Sequence, residues 1–234
     1  MATIAWANQV LQGQDLESGE RSLLEREIRA YLAEGDSFLQ ELYEVNMENI
    51  VSALMVAKAR LSGAKFNGML AGDAEIGMQR IRAGHILRDT TTAETPINTW
   101  VSGSIASGAF TSSTDYFLGY GTNNTTALHI DKEACVLILG AEFTQGVSPT
   151  VEELYITVGS TTYPVIVLRD AWSADNRNRR KATKIVPILC EPKATVLGQV
   201  LSIAASSVQE LRLLGITFAY GRFLRQQTYS SVST

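Results

Sequence analysis

Ala134-Cys-Val-Leu-Ile-Leu-Gly-Ala-Glu-Phe143 is followed by a Gly146-Val-Ser-Pro149 turn, then by Val151-Glu-Glu-Leu-Tyr-Ile-Thr-Val158 and, after Gly159-Ser-Thr-Thr-Tyr-Pro164, by Val165-Ile-Val-Leu168. Three short runs rich in Val, Ile, Leu and Tyr, each closed by Gly, Ser, Thr or Pro, fit a pleated, half-buried surface and not a helix. The stretch predicts sheet folded back on itself. Outward from it, strand-length apolar runs alternate with turn clusters: Ile97 to Ile105, Tyr116 to Tyr120, Ala127 to Ile130, Ile185 to Cys190, Val196 to Ile203 and Leu211 to Tyr220. The Ala and Ser content of 194–207 would also tolerate a helix. In the last run Leu214, Ile216, Phe218 and Tyr220 share one face, and Gly215, Thr217 and Ala219 the other, which predicts a strand with one buried face. About nine strands over 95–225 predict an antiparallel β-sandwich, jelly-roll-like, rather than a βαβ fold.

All five prolines fall at Pro96 or later, and the region before them reads differently. Leu16, Leu24, Ile28, Tyr31 and Leu32 recur at helical spacing, predicting an amphipathic helix over about 15–34 that Gly35-Asp36 ends. A second helix is expected over 37–61, opened by Ser37 and Gln40 at capping-box spacing and carrying Phe38, Leu42, Ile50 and Leu54 on its apolar face. Glycines at 63, 68, 72, 77 and 84 punctuate 62–88, and each costs about 1 kcal/mol inside a helix. That segment is expected to be a broken helix or an arm. Asp89 to Pro96 reads as a linker. The organisation expected is α+β: a helical N-terminal arm or hairpin over 1–94, a β-sandwich domain over 95–225 and a polar tail over 226–234.

Composition sets bounds on function. With 234 residues, 45% hydrophobic and 19% charged, the chain can bury a sizeable core, and its net charge of −4 does not describe a nucleic-acid binder. The first ten residues lack a basic n-region and a long apolar core, and no run of about 18 uncharged apolar residues occurs, so neither a secretory signal nor a membrane span is expected. Synthesis in a cytoplasm is the expectation. Cys135 and Cys190 lie in apolar strand-like runs and read as buried free thiols, with a disulfide or a metal pair as the alternatives.

Catalytic signatures are scarce. His85 and His129 are the two imidazoles, and neither sits beside a recognisable nucleophile. His129 and Asp131 share a strand face, so a hydrogen-bonded pair or a metal site is geometrically open; a solvated polar face is the plainer reading. His85, after Gly84, reads as a helix-end or contact residue. Glu152 and Glu153 point to opposite faces, the wrong arrangement for two-carboxylate catalysis. Asp131 with Glu133, or Asp73 with Glu75, offers too few oxygens for a calcium loop. No cofactor is expected. Arg177, Arg179, Arg180, Lys181 and Lys184 form the most polarised feature, a basic loop suited to phosphates or to acidic residues of a neighbouring copy such as Glu25, Glu27, Glu41 and Glu44.

An arm whose apolar face lacks an evident partner in its own chain is suited to clasping another copy. In this layout, a helical acidic arm ahead of a Thr-, Ser-, Ala- and Gly-rich β domain, the chain resembles virion structural proteins of bacterial and archaeal viruses. The resemblance implies a non-enzymatic subunit of a capsid, of a capsid-decorating layer or of a head-tail or tail structure. Its partners would be copies of itself and other virion proteins, with nucleic acid reached only through the Arg177 to Lys184 loop. Leu24, Ile28, Leu32, Phe38, Leu42, Ile50 and Leu54 are the expected subunit interface. Two other functions stay open: a carbohydrate- or receptor-binding module using Trp100, Tyr116 and Trp172, and an enzyme using His129 and Asp131.

Overall fold

The computed structural model describes residues 2–3, 37–61, 76–89, 94–96, 128–144, 151–164, 166–167, 180–202 and 210–224. Among the described residues, two helices precede most of the strands. Helix α1 spans Ser37–Val45 and α2 spans Met47–Leu61, so the helix expected over 37–61 is interrupted at Asn46. The buried Asn46 amide explains the break: its Nδ2 donates to the Leu42 carbonyl (2.8 Å) while its own carbonyl accepts from Ile50 N–H (2.9 Å), ending one helix and starting the next. The helix expected over 15–34 lies outside the described residues, as do the strands expected at 97–105 and 116–120 and the Ser37 side chain of the capping box.

The strands are β1 (Ala2–Thr3), β2 (Ile76–Arg80), β3 (Ile86–Asp89), β4 (Glu94–Pro96), β5 (Leu128–Ile130), β6 (Ala134–Thr144), β7 (Val151–Val158), β8 (Thr161–Thr162), β9 (Ile166–Val167), β10 (Arg180–Cys190), β11 (Val196–Ser202) and β12 (Glu210–Tyr220). All of their pairings are antiparallel. A five-stranded sheet runs β1-β2-β12-β6-β10. A four-stranded sheet runs β11-β7-β8, with β9 also on β7, and a three-stranded sheet runs β4-β3-β5. The two smaller sheets meet where Lys193 N–H donates to Ile130 O and Ile130 N–H to Ala194 O, both at 3.0 Å, beside a His129–Thr195 bridge. Lys193, in the left-handed region at φ 63°, turns the chain there.

Three expectations change. The segment 62–88 is not helical where it is described: Ile76 and Met78 alternate with Gly77 and Gln79 in β2, which pairs with β12 from Tyr220↔Ile76 to Ile216↔Arg80. Glycine weakens a strand interior as it does a helix, and Gly77 is held in β2 by its pairing opposite Ala219 of β12. Where it is described, the expected linker from Asp89 to Pro96 is strand, because β3 pairs antiparallel with β4 in the register Asp89↔Glu94 to Leu87↔Pro96. Arg180, Lys181 and Lys184 do not lie in a loop. They stand on β10, opposite Thr144, Phe143 and Gly140 of β6, since backbone pairing is indifferent to side-chain charge and an edge strand tolerates cations. The segment 196–202 is strand, and β6, β7 and β12 fall where the apolar runs placed them.

Both faces of the five-stranded sheet are buried. On one, Cys135, Leu137 and Leu139 of β6, Met78 of β2 and Ile216, Phe218 and Tyr220 of β12 join Leu42, Ile50, Val51, Leu54 and Leu61 of the helices in one cluster. On the other, Ala134, Val136 and Ile138 join Ile86, Leu128, Ile130, Leu154, Ile156 and Val196 of the smaller sheets. The face predicted on β12 is present and packs against α1 and α2, but the strand is buried on both sides because the smaller sheets and His85 cover the side of Thr217 and Ala219 expected to be open.

The alternation on β6 changes phase after Leu139. Ala141 faces the same cluster as Ala134, Val136 and Ile138, and the β12 register jumps from Leu214↔Gly140 to Gly215↔Ile138. That is a bulge, one extra residue on β6. Opposite it, Gly215 lies so close to β6 that a Cβ would collide with the Leu137 carbonyl oxygen. On the other side, the β10 register shifts between Lys184 and Ile188 and takes in Pro187, tolerated at an irregular edge.

Candidate functional site

Among the described residues, the polar groups buried most deeply converge on the β12 face that carries Thr217. The turn after β2, a short 3-10 helix over Ala83–His85, brings the His85 ring under the sheet. His85 and Thr217 are fully buried and Gln79, paired with Thr217 across β2 and β12, is nearly so. His85 Nδ1 lies 2.7 Å from Thr217 Oγ1 and accepts from the Arg82 N–H at 3.1 Å. A nitrogen that accepts from a backbone N–H carries no proton, so Thr217 donates to it as well and the ring proton belongs on Nε2. The ring also tilts against Phe223 of a helical turn at 221–224, with centroids 5.9 Å apart.

The surroundings hold this imidazole neutral. Burial, reinforced by the Arg82 charge, pushes His85 down from 6.5 to about 3. Two polar atoms there lack a hydrogen-bond partner: His85 Nε2, a donor by the tautomer argument, and Gln79 Oε1, an acceptor. Chemically the cluster is a tie between the turn and the sheet, closed to solvent, with one donor and one acceptor unmet. From sequence His85 read as a helix-end or contact residue, with no connection to Gln79 or Thr217. The available signal was two polar residues, Gln79 and Thr217, set among apolar strand positions.

The residues singled out from sequence are placed differently. Leu42, Ile50 and Leu54 are 0%, 0% and 2% exposed, packed against their own sheet, and Phe38 is half-buried at the same cluster. Their apolar surface is already removed from water within the chain. Leu24, Ile28 and Leu32, like Arg177 and Arg179, lie outside the described residues, as do Trp100, Tyr116 and Trp172.

His129, on β5, is buried and bridges Thr195. Asp131 closes a turn instead: its Oδ1 accepts from Glu133 N–H at 2.6 Å and its carbonyl from Ala134 N–H at 3.1 Å. Among the described residues, no three His, Cys, Asp or Glu are grouped to hold a metal ion. Burial, then the Asp131 charge, raises the Glu133 carboxyl. Glu153 accepts from Tyr155 OH at 2.6 Å on one face of β7, which raises the phenol.

Cys135 and Cys190 are buried free thiols, as expected. Cys135 belongs to the helix-side cluster and Cys190 to the opposite one, so the sheet separates them. Burial pushes each up to about 12. Arg60, in the last turn of α2, grips Glu191 after β10 through two contacts of 3.0 and 3.3 Å, fixing the helix end to the sheet corner. Among the described residues, no helix is long and apolar enough to cross a membrane.

No protein-family model matches the chain, and no curated protein matches it.

Proposed function

We propose that this chain is a non-enzymatic, self-assembling structural subunit of the virion type, a component of a capsid, of a capsid-decorating layer or of a head-tail or tail structure. It would be made in a host cytoplasm and work beside copies of itself. The observation that carries this reading is β1. Residues 2–3, separated from the first helix by the 33 residues 4–36, add a strand to the edge of the five-stranded sheet, in the register Ala2↔Met78 and Thr3↔Gly77. A short segment that completes a sheet edge from a distance in sequence is the kind of connector an assembly uses.

The proposal includes an antiparallel β-sandwich. What supports it is the cluster shared by the five-stranded sheet and the smaller sheets, with the helices forming an outer layer. A jelly-roll order would rest on connections through 97–127, outside the described residues. Arg180, Lys181 and Lys184, spaced along the edge strand β10, would add a salt-sensitive contact with acidic positions of a neighbour.

The test is the mass of the purified full chain by light scattering on a sizing column at low and high salt. A defined oligomer or particle is expected, weakened at high salt. A monomer at both salts overturns the reading.

A further inference from the structure

The face of the five-stranded sheet turned away from the helices carries a polar spot in an otherwise apolar surface. Across β2 and β12, Gln79 stands opposite Thr217 and Gly77 opposite Ala219, and Ala219 in turn stands opposite Ala134 of β6. Side chains on one face of a strand recur every second residue, so Gln79 and Thr217 lie side by side, with only glycine and alanine at the next position on that face. His85 reaches the same face from the 3-10 turn, its Nδ1 2.7 Å from Thr217 Oγ1. All three side chains are buried, yet His85 Nε2 and Gln79 Oε1 lack a hydrogen-bond partner. Leaving a buried polar atom unpaired costs more than a typical hydrogen bond contributes, and two such atoms of opposite character in one cluster call for a shared partner.

The chemistry of the two atoms selects that partner. Nδ1 accepts from Arg82 N–H at 3.1 Å, which leaves the ring proton on Nε2. A protonated ring nitrogen has no lone pair to offer, so Nε2 is closed to a metal ion. Gln79 Oε1 is an acceptor and opposes an anion. What satisfies both is a small neutral molecule that accepts at one atom and donates from another. We propose that His85 and Gln79 hold one internal water molecule, which accepts from His85 Nε2–H and donates to Gln79 Oε1. Buried waters make about three hydrogen bonds to groups that would otherwise be unpaired, and these side chains supply two of them. The water completes the tie between turn and sheet: Arg82 N–H and Thr217 hold one nitrogen of the ring, and Gln79, through the water, holds the other. Both strands of the β2–β12 pair then grip the imidazole, while Phe223 packs on it without a polar group. The arrangement needs a neutral ring, which burial and the Arg82 charge maintain. The site lies within one chain and is independent of self-assembly.

NMR of the full chain at pH 7, isotope-labelled at the histidine nitrogens, is the test, with His85→Asn separating the signals of His85 from those of His129. The nitrogen shifts are expected to place the proton of His85 on Nε2, and that proton is expected to show direct cross-relaxation with water. Water deuteron relaxation dispersion counts long-lived internal waters, and one fewer is expected in Gln79→Met, which keeps the length of the side chain and removes the acceptor. A proton on Nδ1 overturns the proposal, because Nε2 would then be an acceptor. A cross peak from Nε2–H to the Gln79 side chain with none to water means a direct hydrogen bond and overturns it as well. An Nε2 proton that exchanges too fast to observe, the mark of a site open to bulk solvent, does the same, and so does an unchanged water count in Gln79→Met. Where Gln79→Met fails to fold, the tautomer and the water cross peak of the parent alone uphold or overturn the site.

Discussion

Acidification tests the His85 cluster directly. The unfolded chain protonates this imidazole near 6.5, whereas the folded chain resists until about 3. A histidine whose folded value is depressed contributes stability above its unfolded value, and that stability is lost as pH falls from 6.5 toward 3. The full span corresponds to about 5 kcal/mol at about 1.4 kcal/mol per pH unit. About 2 kcal/mol of it is gone by pH 5 and about 3 kcal/mol by pH 4, against a typical domain stability of about 5–15 kcal/mol.

The neighbours fix the sign. Arg82 works in the same direction as burial, and Thr217, Gln79 and Phe223 bring no charge. Glu133, raised in the folded state, works oppositely and adds stability as pH falls, so the parent alone gives a mixed answer. His85→Asn removes the titration while placing an amide oxygen near the Nδ1 position, where Arg82 N–H and Thr217 can still donate. Urea denaturation followed by circular dichroism at pH 7, 6, 5 and 4, on parent and variant, isolates the His85 share as a difference of slopes. The variant is expected to be less stable than the parent at pH 7 and to lose about 2 kcal/mol less between pH 7 and 5. Equal slopes for the two proteins would refute both the depressed value and the closed environment assigned to this ring.

Two further substitutions test the packing. Gly215→Ala is expected to destabilise by about 2–4 kcal/mol, because the new methyl meets the Leu137 carbonyl of a paired strand and neither backbone yields readily. Gly159→Ala, at φ 60° but in open space, should cost only about 1 kcal/mol, and thermal unfolding of both variants reads the contrast. Leu42→Asp with Ile50→Asp is expected to abolish cooperative unfolding, since each carboxylate would be buried unpaired against Met78, Leu137 and Phe218. A folded variant of changed oligomer size would instead show that these residues face another copy.

How much was legible follows from the reach of each signal. Strands β6, β7 and β12 were readable because branched apolar residues bounded by turn residues report local geometry. The helices were readable from spacing, down to the residues that Leu42, Ile50 and Leu54 contribute. What those faces meet was not, because an amphipathic stripe specifies burial and not the molecule that supplies it. Gly77 misled for a related reason: its cost in a helix is intrinsic, whereas its place opposite Ala219 depends on a strand 142 positions away. Arg180 to Lys184 read as a loop because charge in sequence resembles exposure, yet an edge strand can carry such residues and keep every backbone pair. The His85 cluster was invisible since its members sit at 79, 85 and 217, joined only by the β2–β12 register.

With helices on one face and a second set of strands on the other, the described residues leave the five-stranded sheet its edges as the backbone available for contact. A substitution on either face acts first on stability, so partner binding has to be sought where backbone groups or edge side chains remain accessible. The edges are not equivalent. Cations, Pro187 and a register break on β10 oppose strand addition and favour charge-mediated contact, while β2 is regular, short and completed by a segment distant in sequence. An assembly built from such a unit would therefore have a salt-sensitive contact at the β10 edge, which high salt should loosen.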